Sequence, residues 1–233
     1  MTVGEFGEFE AHITVRCPDG AAAAIRLARW SAERGWKFTH IVLARGRVPS
    51  QPMVTLRGRG SYEEQVRVCR RAAGALRAAG FPPVRVKIEV PPWDPVVPRS
   101  DAQALLPGGL GGRADGAGRY FEHHLKVLLT PGAPDAAVLL DALTATAVAH
   151  DAHVSWNARR IRAGTGREER FVTQRCHGVG LPTARARLAA LKRSVVDLGV
   201  EIAEVEQEFV VHDSNLAVDE GWIVMTADEA ARR

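Results

Sequence analysis

The feature that most constrains this chain is that it repeats itself. Phe9-Glu-Ala-His-Ile-Thr-Val15 and Phe121-Glu-His-His-Leu-Lys-Val127 carry Phe, Glu, His and Val at matching places. Both stretches alternate apolar with polar residues, the period of a strand with one buried face. Self-similarity of this kind means the chain has to be read as two copies of one unit.

The segments that follow agree. Each strand leads into an Ala/Leu-rich helix, residues 19–35 and 135–151, with Asp19 and Asp135 placed as N-caps. Two strand-like segments come next, 37–44 and 52–56 in the first copy, 154–159 and 170–176 in the second. A second helix then opens in each. Ser61-Tyr-Glu-Glu64 is a capping box, and its counterpart begins near Leu181-Pro182-Thr183 with proline in the first turn. The stripe Leu188, Leu191, Val195, Leu198 falls on Cys69, Ala72, Leu76, Ala79 of the first copy, all apolar at helical spacing. Gly80 and Gly199 keep the same offset, where a left-handed C-terminal residue belongs. Strands 84–90 and 201–211 close the two halves.

This βαββαβ order is ferredoxin-like. The expected fold is α+β, a tandem duplication of a ferredoxin-like unit, as two four-stranded antiparallel sheets with helices on their outer faces. The first repeat spans 1–90 and the second, with a C-terminal extension, 119–233. Between them 91–118, with Pro91-Pro-Trp-Asp-Pro95 and Gly108-Gly-Leu-Gly-Gly112, reads as a linker.

Alternation assigns the faces. Phe9, Ala11, Ile13 and Val15 point at the helices, leaving Glu10, His12, Thr14 and Arg16 on the other side. The closing strand presents Arg85, Lys87 and Glu89, and the second repeat Glu122, His124 and Lys126 with Glu204, Glu206 and Glu208. If the sheets face one another, these side chains line a polar cavity between the repeats; otherwise they are simply solvated.

The sharpest constellation is the paired Glu-x-His, Glu10/His12 and Glu122/His124. Residues two apart on a strand share a face, about 6–7 Å apart. Such a pair could serve as acid and base, could ligate a divalent metal ion (His12, His124, Glu10 and Glu122 together offer four ligands), or could be an ordinary polar strand face. Thr14, Lys87, Glu89, Lys126, Arg175 and Glu206 are the candidate ligand-binding residues, with Lys87, Lys126 and Arg175 placed to hold an anion.

His12-Ile13-Thr14 resembles one half of the two-histidine phosphoesterase signature, in which paired H-x-T/S tripeptides activate water and hold a phosphate, which implies a hydrolase. The second copy reads His124-Leu125-Lys126, with Lys126 offering a point charge in place of the hydroxyl. Glu8-x-Glu10-x-His12 is similar to the opening E-x-E-x-K of the triphosphate-tunnel enzymes, with His in place of Lys.

Other features point to structure. Gly58-Arg59-Gly60-Ser61 and Gly178-Val179-Gly180 open helices and meet a turn requirement more readily than an anion cradle. Cys176 and His177 are adjacent on a strand and so face opposite ways. His40 and His153 lie near the proposed cavity. Asp213-Ser-Asn-Leu-Ala-Val-Asp219 lacks the glycine and final glutamate of a calcium loop and reads as turn chemistry, with Trp222 packing the C-terminal segment back onto the body.

The net charge is +4 and the isoelectric point about 9.3. Arginine supplies nearly all the basic residues, and those on the second helices (Arg67, Arg70, Arg71, Arg77; Arg185, Arg187, Lys192, Arg193) lack interleaved aromatics. RNA binding is therefore the third reading. Cys17, Cys69 and Cys176 show no C-x-x-C spacing, no apolar run approaches the roughly 18–20 residues of a membrane span, and Met1 to Glu10 is acidic. A cytoplasmic protein without a membrane segment is expected. The functional expectation is an enzyme acting on a small anionic molecule, phosphorylated or carboxylated. The alternative is a non-catalytic module for ligand sensing or assembly; the sequence leaves oligomeric state open.

Overall fold

The computed structural model describes residues 5–18, 20–106, 119–158 and 166–222. Strand β1 (Glu5–Val15) leads through α1 (Gly20–Ala32) to β2 (Lys37–Leu43) and β3 (Ser50–Ser61), then α2 (Tyr62–Ala78) and β4 (Pro83–Val90). A connecting segment holds the one-turn helix α3 (Asp101–Ala104). The order then returns as β5 (Tyr120–Leu129), α4 (Ala136–Ala149), β6 (Ala152–Asn157), β7 (Glu168–His177), α5 (Leu181–Asp197) and β8 (Glu201–Asp213). The protein is α+β, a duplicated ferredoxin-like unit.

Local chemistry sets the boundaries. Ser61 Oγ accepts from the Glu64 N–H (3.3 Å) while the Glu64 carboxylate accepts from the Ser61 N–H (2.8 Å), which completes the capping box of α2. Gly80 and Gly199 take positive φ just past α2 and α5. Asp135 sits at the N-cap of α4 without a side-chain cap bond, and Asp19 lies outside the described residues. Strand β3 outruns the expected 52–56 because its pairing with β1 continues to Glu5↔Ser61.

Each repeat orders its strands as the ferredoxin-like pattern requires, β2-β3-β1-β4 and β6-β7-β5-β8. The expected pair of separate sheets is corrected at the edges: β2 pairs with β6 and β4 with β8, both antiparallel, so the eight strands form one closed barrel. Closure pairs backbone groups that four exposed edges would leave open. Glu10↔Glu89 and Glu122↔Glu208 are equivalent pairs, so Val90 corresponds to Phe209, and these two residues pair with each other across the seam. At the other seam Ile41 meets its counterpart Asn157. A pseudo-twofold axis therefore runs through both seams.

The core lies between barrel and helices. Phe9, Ala11, Ile88, Phe121 and Phe209 form one cluster, Leu125, Val127, Leu143 and Leu191 a second, Ile13, Leu27, Val54 and Leu76 a third. Burying each large side chain contributes about 1.5–3 kcal/mol. That outer core turns the polar alternates inward.

Over 91–106 the expected linker is part of the folded body. Asp94 accepts from the Gly7 N–H (3.3 Å) and the Val96 N–H (3.0 Å), and Val97 is buried. Gly180 N–H donates to Asp101 Oδ1 (2.7 Å), capping α5 from outside. A Cβ on Gly180 would stand 2.4 Å from the Ser100 backbone, so only glycine permits this docking. Gly108 to Gly112 lie outside the described residues. After β8 the chain folds back, and Trp222 Nε1 donates to the Val154 carbonyl (3.2 Å), as its apolar bulk predicts. Among the described residues no helix is long and apolar enough to cross a membrane.

Candidate functional site

The barrel encloses a cavity of about 980 Å³. Glu10, His12 and Thr14 reach it from β1, Lys87 and Glu89 from β4, Glu122, His124 and Lys126 from β5, Arg175 from β7 and Glu206 from β8. One period-two argument, applied to β1, β4, β5 and β8, places all of them except Arg175 on the inner surface.

Duplication produces the same arrangement twice. His12 stands opposite Thr55 on β3, its Nδ1 2.9 Å from Thr55 Oγ1, and its Nε2 is 2.9 Å from Glu89 Oε2. His124 stands opposite Thr173 on β7, Nδ1 to Oγ1 3.0 Å, with Nε2 3.3 Å from Glu122 and 3.8 Å from Glu208. A neutral imidazole that donates Nε2–H to a carboxylate must accept the threonine O–H at Nδ1. Each repeat thus holds a carboxylate, an imidazole and a hydroxyl in line. The Glu10–Arg57 bond (2.6 Å) corresponds to Glu122–Arg175 (2.6 Å).

The two arrangements meet at the pseudo-twofold axis. Glu208 hydrogen-bonds Glu89, its own counterpart. The Lys87 ammonium lies between Glu89 (2.5 Å) and Glu122, which joins the two histidines through a continuous chain of charge. Burial and then the charge of Glu89 push the Glu208 carboxyl well above the usual range. Burial also opposes ionisation of Glu89, but Lys87 and His12 outweigh it and hold that carboxyl at about 2. Two carboxylates this close share one proton, and the cation beside Glu89 leaves it on Glu208.

The two ends of the cavity differ. Toward the C-terminal extension, Arg85 and Arg175 share Asp219 (2.7 and 2.8 Å), Arg85 also pairs with Asp213, and Tyr120 O–H donates to Asp213 (2.8 Å). Trp222 lines the cavity here, and Glu122 and Arg175 are buried. The equivalent Arg57 at the other end is 72% exposed and Glu206 is exposed as well. The C-terminal segment therefore plugs one mouth and leaves the other open.

Several expectations change in consequence. Asp213 and Asp219 are not turn-formers alone: they neutralise the two buried arginines. Lys87 and Arg175, expected to hold an anion, are saturated by the protein's own carboxylates, and Lys126 pairs with Glu204. Cations with spare donors stand at the open mouth. Among the described residues, Arg57 bonds Glu10 through Nε alone, and Arg59 reaches Glu8 through one Nη2. The four-ligand arrangement of His12, His124, Glu10 and Glu122 does not form. Among the described residues no group of three or more His, Cys, Asp or Glu is placed to hold a metal ion, and Lys87 stands between the two couples.

Thr55 and Thr173 have no place in the sequence-derived site, and Glu208 stands on its polar face without a role. The offset that pairs Glu89 with Glu208 carried the signal for Glu208; the hydroxyls needed the register of β1 on β3. Of the remaining candidates, Cys176 is buried in the core and its thiol is pushed up to about 11 by that burial, while His177 stacks on Tyr120 (4.7 Å). His40 meets Ser50 (2.8 Å), and His153 packs on Trp222 (5.6 Å). The basic residues of α2 and α5 are exposed.

No protein-family model and no curated protein sequence matches this chain. Among solved structures, it is similar to the small subunit of acetolactate synthase from Thermotoga maritima at 12% identity, over 89% of this chain and 96% of that one, with a TM-score of 0.29. The regulatory subunit of aspartate kinase from Thermus thermophilus gives 12% identity, 83% and 95% coverage and a TM-score of 0.28. A mutant chlorite dismutase from Candidatus Nitrospira defluvii gives 9%, 90% and 93%, and 0.29.

Proposed function

We propose that the chain is an enzyme that admits a small anionic molecule, phosphorylated or carboxylated, through the open end of the barrel and acts on it by general acid–base chemistry. The observation that carries this reading is the pair of carboxylate–imidazole–hydroxyl alignments, Glu89–His12–Thr55 and Glu122–His124–Thr173, joined through Lys87 in one cavity beside Glu208. Paired groups whose surroundings drive their protonation apart make a natural acid and base. Glu208 holds the proton to be given. His12 and His124, oriented by Thr55 and Thr173, accept one at Nδ1 or Nε2 as a carboxylate or hydroxyl contact yields. The spare guanidinium donors of Arg57 and Arg59 meet the ligand's charge, planar forks suited to carboxylate or phosphate.

Thermal-shift screening of phosphorylated and carboxylated metabolites tests the binding half, since a ligand that prefers the native state raises Tm. For a compound that is turned over, His12→Gln and His124→Gln are expected to lower kcat by about 10²-fold or more while Tm still responds to the ligand. Binding with no turnover in the wild type would instead establish a non-catalytic ligand-sensing barrel.

A further inference from the structure

The cavity is chemically two-sided. Strands β1, β4, β8 and β5 lie side by side and carry the histidines and the shared carboxyls. The opposite wall, from β2, β3 and β7, contributes Ile41, Leu43, Met53 and Phe171 beside Thr39, Gln51 and Thr173. Met53 and Phe171 are counterparts, paired across from Thr14 and Lys126 respectively, so the apolar wall is as much a product of the duplication as the charged one. A phosphate or a short-chain acid would leave that wall wet. Cavities of a few hundred to about 1,000 Å³ hold molecules of drug size, whose bulk is apolar.

At the rim of the same cavity, next to Pro91 and Pro92, Trp93 is 70% exposed. An indole left this open is unusual in a loop so firmly built. The Arg99 guanidinium donates to the carbonyls of Pro92 (3.3 Å), Trp93 (3.1 Å) and Asp94 (2.9 Å), and Asp94 ties the loop to Gly7 and Val96. These bonds fix the backbone that carries the ring, which lowers part of the ordering cost of stacking a ligand on it.

The geometry points to a ligand with a flat, largely apolar ring system, seated against the Met53/Phe171 wall and stacked on Trp93, with its acidic group turned to Arg57 and the paired carboxyls. This rests on the cavity reading above and narrows its substrate class to aromatic or polycyclic acids.

Titration of the full chain with 2-naphthoate, followed by calorimetry and tryptophan fluorescence, tests it beside malonate, which has the charge and no ring. Wild-type protein is expected to bind 2-naphthoate more tightly than malonate. Trp93→Ala, a change at an exposed side chain, should weaken 2-naphthoate about tenfold and leave malonate unchanged, with Trp93→Phe restoring much of the loss. Arg57→Ala should weaken both. Failure of 2-naphthoate to bind, or indifference of its affinity to Trp93→Ala, overturns the ring subsite; malonate that still binds and still responds to Arg57→Ala then shows the anion reading standing without it.

Discussion

Glu89 and Glu208 occupy one position in two copies of a unit, and their neighbours drive them apart. Glu89 has Lys87 and His12 against it; Glu208 has Glu89 itself. For Glu89 the folded value lies below the unfolded one, so its contribution is present above pH 4.5 and is lost as pH falls toward about 2. Glu208 is the reverse: the native state keeps a proton that the unfolded chain has released, so stability declines as pH rises from 4.5 through the folded value. Glu89→Gln, which leaves Lys87 to Glu122 alone and takes the carboxylate from His12, is expected to cost roughly 3 kcal/mol at pH 8. Glu208→Gln keeps the hydrogen bond without the titration and should raise Tm at pH 8 more than at pH 5. Two buried histidines add to this. Burial lowers His123, held between Gln174 and Gln207, and His153 to about 4 each. Their stabilisation is complete above pH 6.5 and is lost as pH falls through 4. Glu208 opposes them as pH rises from 4.5 toward its raised folded value, so Glu208→Gln should steepen the acid limb of a stability-versus-pH curve. A limb of unchanged slope would mean Glu208 is not the protonated partner.

Among the elements, the C-terminal segment after β8 does what no strand does: it breaks the equivalence of the two barrel mouths. Asp219 takes both Arg85 and Arg175 and also accepts from Gln51 (2.8 Å). Asp219→Ala leaves two guanidinium groups, each less than 10% exposed, without their common counter-charge. The expected loss is about 3–5 kcal/mol, read as a fall in the urea midpoint, whereas Glu10→Ala at the open mouth should cost under about 1 kcal/mol. Near-equal losses would deny the plug. This element also marks where the sequence stops being legible. Strand alternation exposed the inward faces of β1, β4 and β5 because it repeats every two residues and depends on nothing distant. Asp213 and Asp219 have no such period: their partners are 85 and 175, and only the barrel's closure brings them together. The same holds for 91–106, whose Pro-rich composition disfavours regular structure yet says nothing of Asp101 capping α5.

At the scale of the whole molecule, closure is the property that makes the site. Each seam joins a strand edge to the edge of its own counterpart, Val90 to Phe209 and Ile41 to Asn157, in antiparallel register. An edge that pairs with its equivalent through a twofold axis is self-complementary, so one repeat presents the same two edges that a second copy of itself would accept. The first repeat expressed alone, residues 1–106, is therefore expected to form a homodimer that rebuilds an eight-stranded barrel, with four open backbone edges as the cost of staying apart. Such a dimer would carry two copies of the His12–Glu89–Thr55 alignment and two of Lys87, with no Glu206 and no Asp219. Its paired Glu89 residues would each have a lysine at hand, so neither would be left as the proton holder that Glu208 is in the full chain. Sedimentation equilibrium checks the assembly. A folded, monomeric repeat would show that the seams contribute little, and that the barrel interior is held by the Lys87–Glu122 bridge and the C-terminal plug instead.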